Sequence, residues 1–269
     1  MVEMLLDATR NYNDKLTKKR LFGWHSALFP TGYSGLNHVT VGAWRKGPMQ
    51  VLSGPYGRER VLFEAPEAER LEKEMSAFIK WFNNENDGID LVLKAGIAHL
   101  WFVTIHPFDD GNGRIARALA DMLLARSENS YQRFYSMSAQ IRQGRDDYYN
   151  CLEAAQKGAL DITETLDWFL ACMDRALDQA RDCLINVLQK AKFWDSIADQ
   201  QLSERQRKII RMLLEDFKGN LTSSKWAKLC KCSQDTANRD INDLVKRGIL
   251  FKGPSGGRST NYLLIKELI

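Results

Sequence analysis

No apolar run in this sequence approaches the ~18 residues that a membrane-spanning helix needs. The opening Met1-Val2-Glu3-Met4-Leu5-Leu6 has neither a basic lead nor a small-residue cleavage site, so no signal peptide is expected. Cysteine is scarce and odd in number, five in all, and Cys151, Cys172 and Cys183 fall in helical patterns as small core residues. Cys230-x-Cys232 is too tight and too isolated for a zinc site. These features favour a reducing, cytoplasmic compartment with no membrane partner. There is also no Gly-x-x-x-x-Gly-Lys-Ser/Thr element, so any triphosphate must be held by other means.

What is present is a globular composition, 44% hydrophobic and 27% charged, in a chain of 269 residues that allows one large domain or two. Net charge is +4 but uneven. Residues 201 to 269 hold 14 Lys and Arg against 7 Asp and Glu, a net of +7, while the first 200 hold 24 against 27, a net of −3. A basic C-terminal part beside a slightly acidic body predicts two domains with different partners.

The most informative stretch is His106-Pro107-Phe108-Asp109-Asp110-Gly111-Asn112-Gly113-Arg114-Ile115-Ala116-Arg117. It runs into an apolar helical pattern at Ile115, Leu119, Met122 and Leu123. A helix start carries free N–H groups and positive partial charge, so two arginines there are misplaced unless an anion neutralises them. At i, i+3 both guanidinium groups leave the same face. Gly111 and Gly113 let the backbone come close to a ligand. The residues predict a phosphate cradle at a helix N-terminus, with Asp110 for a magnesium ion and His106 as a base at the rim. Gly111-x-Gly113-x-x-Ala116 also fits a loose dinucleotide fingerprint, but Pro107 and the helical periods on both sides do not supply its βαβ frame.

The stretch resembles the signature of the Fic family, His-x-Phe-x-(Asp/Glu)-Gly-Asn-Gly-Arg-x-x-Arg, at every fixed position, and the resemblance covers roughly residues 1 to 190. It implies transfer of AMP from ATP to a Tyr, Ser or Thr hydroxyl of a target protein. In that scheme His106 is the general base, well matched to the task with an ordinary pKa of ~6.5. Phe108 anchors the loop, and Asp110 holds Mg²⁺. Asn112 and the N–H groups of Gly111 to Gly113 cradle the α-phosphate, Arg114 takes the β-phosphate and Arg117 the γ-phosphate. Asp109 sits at a variable position and is read as solvated. The Doc branch has lysine where this chain has Gly113, which favours AMP transfer over phosphate transfer. Tyr148, Tyr149 and Gln156 fall where related proteins line the adenine pocket, although tyrosines at helical spacing are as often core. Two rival readings use the same residues: a nucleotide-sensing, nucleic-acid-binding regulator, against which the intact His106 speaks, and removal of AMP from a modified protein.

Around the motif the sequence predicts a mainly α domain over residues 1–195. A second helix runs from Thr17 to Leu28 behind a Pro30–Gly35 loop. β structure is expected across Val39–Phe63, with a hairpin of Met49–Ser53 and Arg60–Phe63 turning at Gly54-Pro55-Tyr56-Gly57. The resemblance makes residues 45–65 a flap that clamps the target by strand addition. Helices follow from Pro66, over Leu91–Thr104, from Asn112 to about Arg126, over Asp146–Gln156 and over Ile162–Leu188, with Phe134–Ile141 a loop or short turn. His99, alone on an apolar helix, is read as a core group. Residues 200–269 resemble a winged helix: helices at Glu204–Glu215, Thr222–Leu229 and Ser233–Arg247, then strands flanking Gly253-Pro254-Ser255-Gly256-Gly257-Arg258. Gln234, Thr236, Asn238 and Arg239 are its candidate base-reading side chains, with docking to protein an equal alternative.

The resemblance also implies regulation: most Fic enzymes are held off by a (Ser/Thr)-x-x-x-Glu-(Gly/Asn) helix whose glutamate pairs with the second motif arginine, here Arg117. Glu85-Asn86 and Glu128-Asn129 have Trp81 and Leu124 in the hydroxyl position, so neither fits. The abrupt start at Met1 leads to the expectation that an inhibitory segment is missing by truncation or carried on a separate chain. Target protein, modified residue and oligomeric state, a homodimer included, stay open.

Overall fold

The computed structural model describes residues 2–53, 60–158, 161–215, 217–254 and 260–265. Among these the chain forms eleven α-helices and three antiparallel strand pairs, and it divides into two compact units, Met1–Ala180 and Arg181–Ile269. None of the described helices is long and apolar enough to cross a membrane.

The first unit is built on α4 (Leu91–Ile105) and α5 (Asn112–Glu128), packed against each other. Asp90 starts α4 by accepting the N–H groups of Val92 and Leu93, a first-turn cap that satisfies two orphan donors. This helix is apolar nearly all round, which suits a central, enclosed position. α1 (Val2–Arg10) and α2 (Lys18–Leu28) lie against α5, and Thr17 caps α2 through Arg20 N. A single 3-10 turn, Ala68–Arg70, leads into α3 (Leu71–Phe82), whose Leu71, Met75, Phe78 and Phe82 stripe packs on α4. α6 (Met137–Gln143), α7 (Arg145–Lys157) and α8 (Thr163–Ser196) complete the sequence of helices that begins in this unit.

Strand content is smaller than expected. β1 (Tyr33–Ser34) pairs with β2 (Asn37–His38), and β3 (Gln50–Ser53) with β4 (Arg60–Glu64), with an irregularity between Val51 and Leu52. The expected turn at 54–57 lies outside the described residues. Residues 39–49 form no strand, and several of their N–H groups bond elsewhere: Thr40 donates to Asp109 and Arg45 to the Pro107 carbonyl in the motif loop, and Gly42 to His25 on α2. The expected loop at 134–141 is in part α6, started by Ser136 accepting Ala139 N–H. Helix α8 runs on to Ser196, and the two units divide within it rather than at 195–200. Its last turns belong to the second core, where Phe193 and Ile197 are buried with Ile209, Ile210 and Trp226.

The second unit holds α9 (Glu204–Leu214), α10 (Ser223–Cys230), α11 (Gln234–Lys246) and the pair β5 (Leu250–Lys252) with β6 (Tyr262–Leu264). Ser203, Thr222 and Ser233 cap the three helices, the first with a reciprocal Gln206 capping box. A bridge from Leu221 to Tyr262 ties the strand pair to the segment before α10. Residues 255–258 of the Gly-rich connection lie outside the described set. Phe78 is fully buried against Trp81, Phe82, Trp101 and Phe102. Phe78→Ala is expected to lower the stability of the first unit by about 3–5 kcal/mol in urea unfolding.

Candidate functional site

Six residues, His106 to Gly111, join α4 to α5. Phe108 is completely buried, its ring stacked on His25 at 4.2 Å and 8° and flanked by Trp44 at 5.0 Å and Phe22 at 6.2 Å. Asn112 closes the turn from the other side. Its Oδ1 accepts Phe108 N–H at 3.0 Å and its Nδ2 donates to the Phe108 carbonyl at 2.8 Å. The Asn112 side chain, expected in the phosphate cradle, is therefore committed to bracing the loop. What this helix start offers an anion is backbone N–H. Gly111 at φ +85 lets the chain turn into α5, and a Cβ there would stand 3.0 Å from the Phe29 ring.

His106 departs from the extended geometry expected before proline. It is the C-cap of α4 in the left-handed region, φ 49 and ψ 59, with its N–H bonded to the Phe102 carbonyl. Arg45 holds it there. That buried guanidinium donates to the carbonyls of His106 at 2.8 Å, Gly47 at 2.7 Å and Pro66. A residue kept in a sparsely populated conformation by over-determined contacts is a common mark of a functional position. The imidazole Nδ1 lies 2.9 Å from the Val103 carbonyl, which can only accept, so Nδ1 carries the proton and Nε2 keeps its lone pair. Burial lowers the His106 pKa, with the Arg45 charge acting the same way, so the ring is neutral at pH 7.

His106 opens on a cavity of about 240 Å³ that also holds Gly113, Arg117, Tyr148, Tyr149 and Gln156, with Val51 and Leu62 of the β3–β4 pair and Glu153 at its edge. A larger cavity of about 560 Å³ shares Arg117, Tyr148 and Tyr149 and adds Arg114, Arg142, Arg145 and Ser138. Four arginines thus meet at one hollow with no acid in its lining. Arg117, Arg142 and Arg145 make no hydrogen bond or ion pair among the described residues. Arg114 makes only a long i, i+4 contact to Asp110 at 3.4 Å while lying over the Phe29 ring at 4.8 Å. The structure brings together His106, Gly113, Arg114, Arg117, Tyr148, Tyr149 and Gln156, all expected from sequence.

Asp110 is beside them, on the Arg114 side. Its Oδ2 accepts from Ser34 Oγ at 2.5 Å and its Oδ1 from Gly111 N at 2.5 Å. Asp109, read as solvated, instead accepts the Thr40 N–H at 2.9 Å and fixes the strap that covers the loop. His25 is a second brace. Gly42 N–H donates to its Nδ1 at 3.2 Å, so Nε2 carries hydrogen and donates to the Asp110 carbonyl at 3.2 Å. His99 is a core group as expected, yet it is not idle: its Nε2 lies 2.8 Å from the buried Tyr148 hydroxyl. Arg45, His25 and Ser34 gave no sequence signal because their contacts span dozens of residues. Arg142 and Arg145 did leave one: their i, i+3 spacing repeats that of Arg114 and Arg117.

Residues 15–124 match the model of the Fic/DOC family. A protein adenylyltransferase Fic of Nematostella vectensis is 36% identical over 114 residues, 42% of this chain and 25% of that protein. This chain therefore spans about a quarter of the length of that relative. A crystal structure of a Fic family protein from Desulfovibrio desulfuricans superposes with a TM-score of 0.55 at 22% identity, covering 97% of this chain and 72% of that one. A Fic domain-containing signaling protein from Bacteroides thetaiotaomicron gives 0.52 at 23%, covering 66% of each. The two structures share the fold.

Three histidines of the first unit, His25, His99 and His106, have pKa values lowered chiefly by burial, His99 to about 4. In the unfolded chain they take up protons near pH 6.5, while the folded forms resist. Stability is then full above pH 6.5 and falls as pH drops towards 4. The His99 share reaches on the order of 3 kcal/mol by the linkage of pKa shift to free energy. Urea unfolding across pH 7.5 to 4 is expected to show this fall, with a shallower slope in His99→Gln.

Proposed function

We propose that the chain is a protein adenylyltransferase, transferring AMP from ATP to a hydroxyl side chain of a target protein. The observation that carries this reading is an oriented imidazole in a cavity that shares Arg117, Tyr148 and Tyr149 with a neighbouring arginine-lined hollow. His106 Nε2 takes the proton of the attacking hydroxyl as its oxygen bonds to the α-phosphorus. The bond from that phosphorus to the bridging oxygen breaks, and pyrophosphate leaves. Arg114 and Arg117 hold the leaving phosphates, aided by Arg142 and Arg145, and the N–H groups at the start of α5 face the α-phosphate. Tyr148 and Tyr149 offer aromatic faces to the base. Gly113 lies beside Arg117, 3.5 Å from Nη1 to an ideal Cβ, and puts no lysine into the cavity. This supports AMP transfer over the phosphate transfer of a lysine-bearing motif.

Among the described residues no three His, Cys, Asp or Glu side chains gather as a resident metal site. A single carboxylate fits a magnesium ion that arrives with the nucleotide, because that ion keeps waters and binds phosphate oxygens. Asp110 would hold it, and the ion would neutralise phosphate charge. The β3–β4 pair borders the base's cavity through Val51 and Leu62, which supports its reading as the edge along which a target segment docks.

For the second unit we propose a winged-helix module that binds DNA. Gln234, Asn238 and Arg239 are exposed on the well-capped α11, and the region carries the +7 charge. Gel-shift titration on genomic fragments is expected to show binding that weakens steeply with salt and drops severalfold in Arg239→Ala; salt-insensitive or absent binding would leave protein docking as its role.

Transfer is tested with ATP labelled at the α-phosphate in cell lysate. Labelled protein bands are expected with the full chain, and His106→Ala should lower their rate about 10²–10⁴-fold, the range for loss of a general base. Label that reaches protein only from the γ-position of ATP would overturn the reading in favour of phosphate transfer.

A further inference from the structure

Thr104 takes no part in the chemistry above, yet it decides which way the Gln156 amide faces. Its Oγ1 donates to the Leu100 carbonyl at 2.8 Å, one turn back along α4. A hydroxyl has one hydrogen, so Oγ1 can only accept from any further neighbour. That neighbour is Gln156, 3.2 Å away, and the atom in contact is therefore Nε2. Oε1 and the second hydrogen of Nε2 are left for the cavity that contains His106, Arg117, Tyr148 and Tyr149. Gln156 makes no other hydrogen bond among the described residues.

We propose that Thr104 is a positioning residue that locks the Gln156 amide and so makes this cavity distinguish a 6-amino purine from a 6-oxo purine. The inference rests on the nucleotide-transfer reading and deepens it. Adenine presents a donor at N6 beside a ring-nitrogen acceptor. Guanine presents an acceptor at O6 beside the N1–H donor. A carboxamide can pair twice with either edge, but with its oxygen and nitrogen in exchanged places. An amide free to flip serves both bases, whereas an amide held by Thr104 serves one. A buried polar site made for one pattern rejects the other because its groups are left unpaired.

The test is equilibrium binding of Mg-ATP and Mg-GTP to the full chain by calorimetry, which needs no target protein. The wild type is expected to favour ATP. Thr104→Val keeps the shape of the side chain but cannot accept, and should reduce the ATP-over-GTP preference about tenfold, the scale of one bidentate base contact. Thr104→Ser keeps the hydroxyl and should retain the preference. Gln156→Ala should lose it to a similar extent, and adding Thr104→Val to that variant should lower it no further, as expected for two residues acting as one unit. An equal loss of affinity for both nucleotides in Thr104→Val, or a further loss of preference in the double variant, overturns the inference while leaving nucleotide transfer standing. A wild type that binds both nucleotides equally also overturns it alone. Binding of neither nucleotide overturns the transfer reading as well.

Discussion

The reciprocal pair of hydrogen bonds between Asn112 and the backbone of Phe108 closes the turn on which the site depends. Two enclosed helices must be joined by a short connection, and a buried connection exposes backbone groups that have to find partners. Asn112 satisfies both groups of Phe108. Arg45 takes the His106 carbonyl, and His25 the Asp110 carbonyl. With the backbone occupied in this way, the Phe108 ring can fill the space between Phe22, His25 and Trp44. The position of His106 follows: it ends α4 in a left-handed conformation that the surrounding bonds leave no room to relax.

The electrostatics point the same way from independent groups. Arg45 is buried with three carbonyls and no carboxylate in contact. The start of α5 adds partial positive charge, and four arginines line the neighbouring hollow. Charges of one sign gathered in a concave, partly enclosed space raise the local potential and draw an anion of opposite sign. That field also lowers the proton affinity of His106 and His99, through Arg45 in one case and Arg117 in the other. A lowered proton affinity at His106 and a positive potential in the hollow are thus two effects of one charge distribution.

Legibility from sequence followed the range of the interactions. Helices with a local cap and a continuous stripe, such as Lys18–Leu28 after Thr17 or Gln234–Lys246 after Ser233, could be read nearly to the residue. The motif named His106, Arg114 and Arg117 because local spacing carries their meaning. Short or irregular elements were missed: Met137–Gln143 has two turns and too few residues to show a period. Residues 39–49 have strand-forming composition, but several of their N–H groups bond to distant residues, which no local pattern records. The same reason hid Arg45, His25 and Ser34. The bracing of the loop by Asn112 was hidden differently, since its side chain could face a phosphate or its own turn, and the sequence does not record its bonds to Phe108.

Among the described residues Arg114 is the motif arginine that forms an ion pair, and the geometry of that contact bears on whether it is free for another anion. Its guanidinium stands 3.4 Å from Asp110 with both side chains partly in water, 32% and 45% exposed. Such a pair contributes little, about 0–1 kcal/mol. Asp110 does not depend on it, because Ser34 and the Gly111 N–H hold the carboxylate at 2.5 Å each. Arg114 can therefore turn away from Asp110 without releasing that carboxylate from its other two partners. The stacking of Arg114 on Phe29 limits how far the guanidinium can wander. Neither of these two oppositely charged side chains has the other as its principal support.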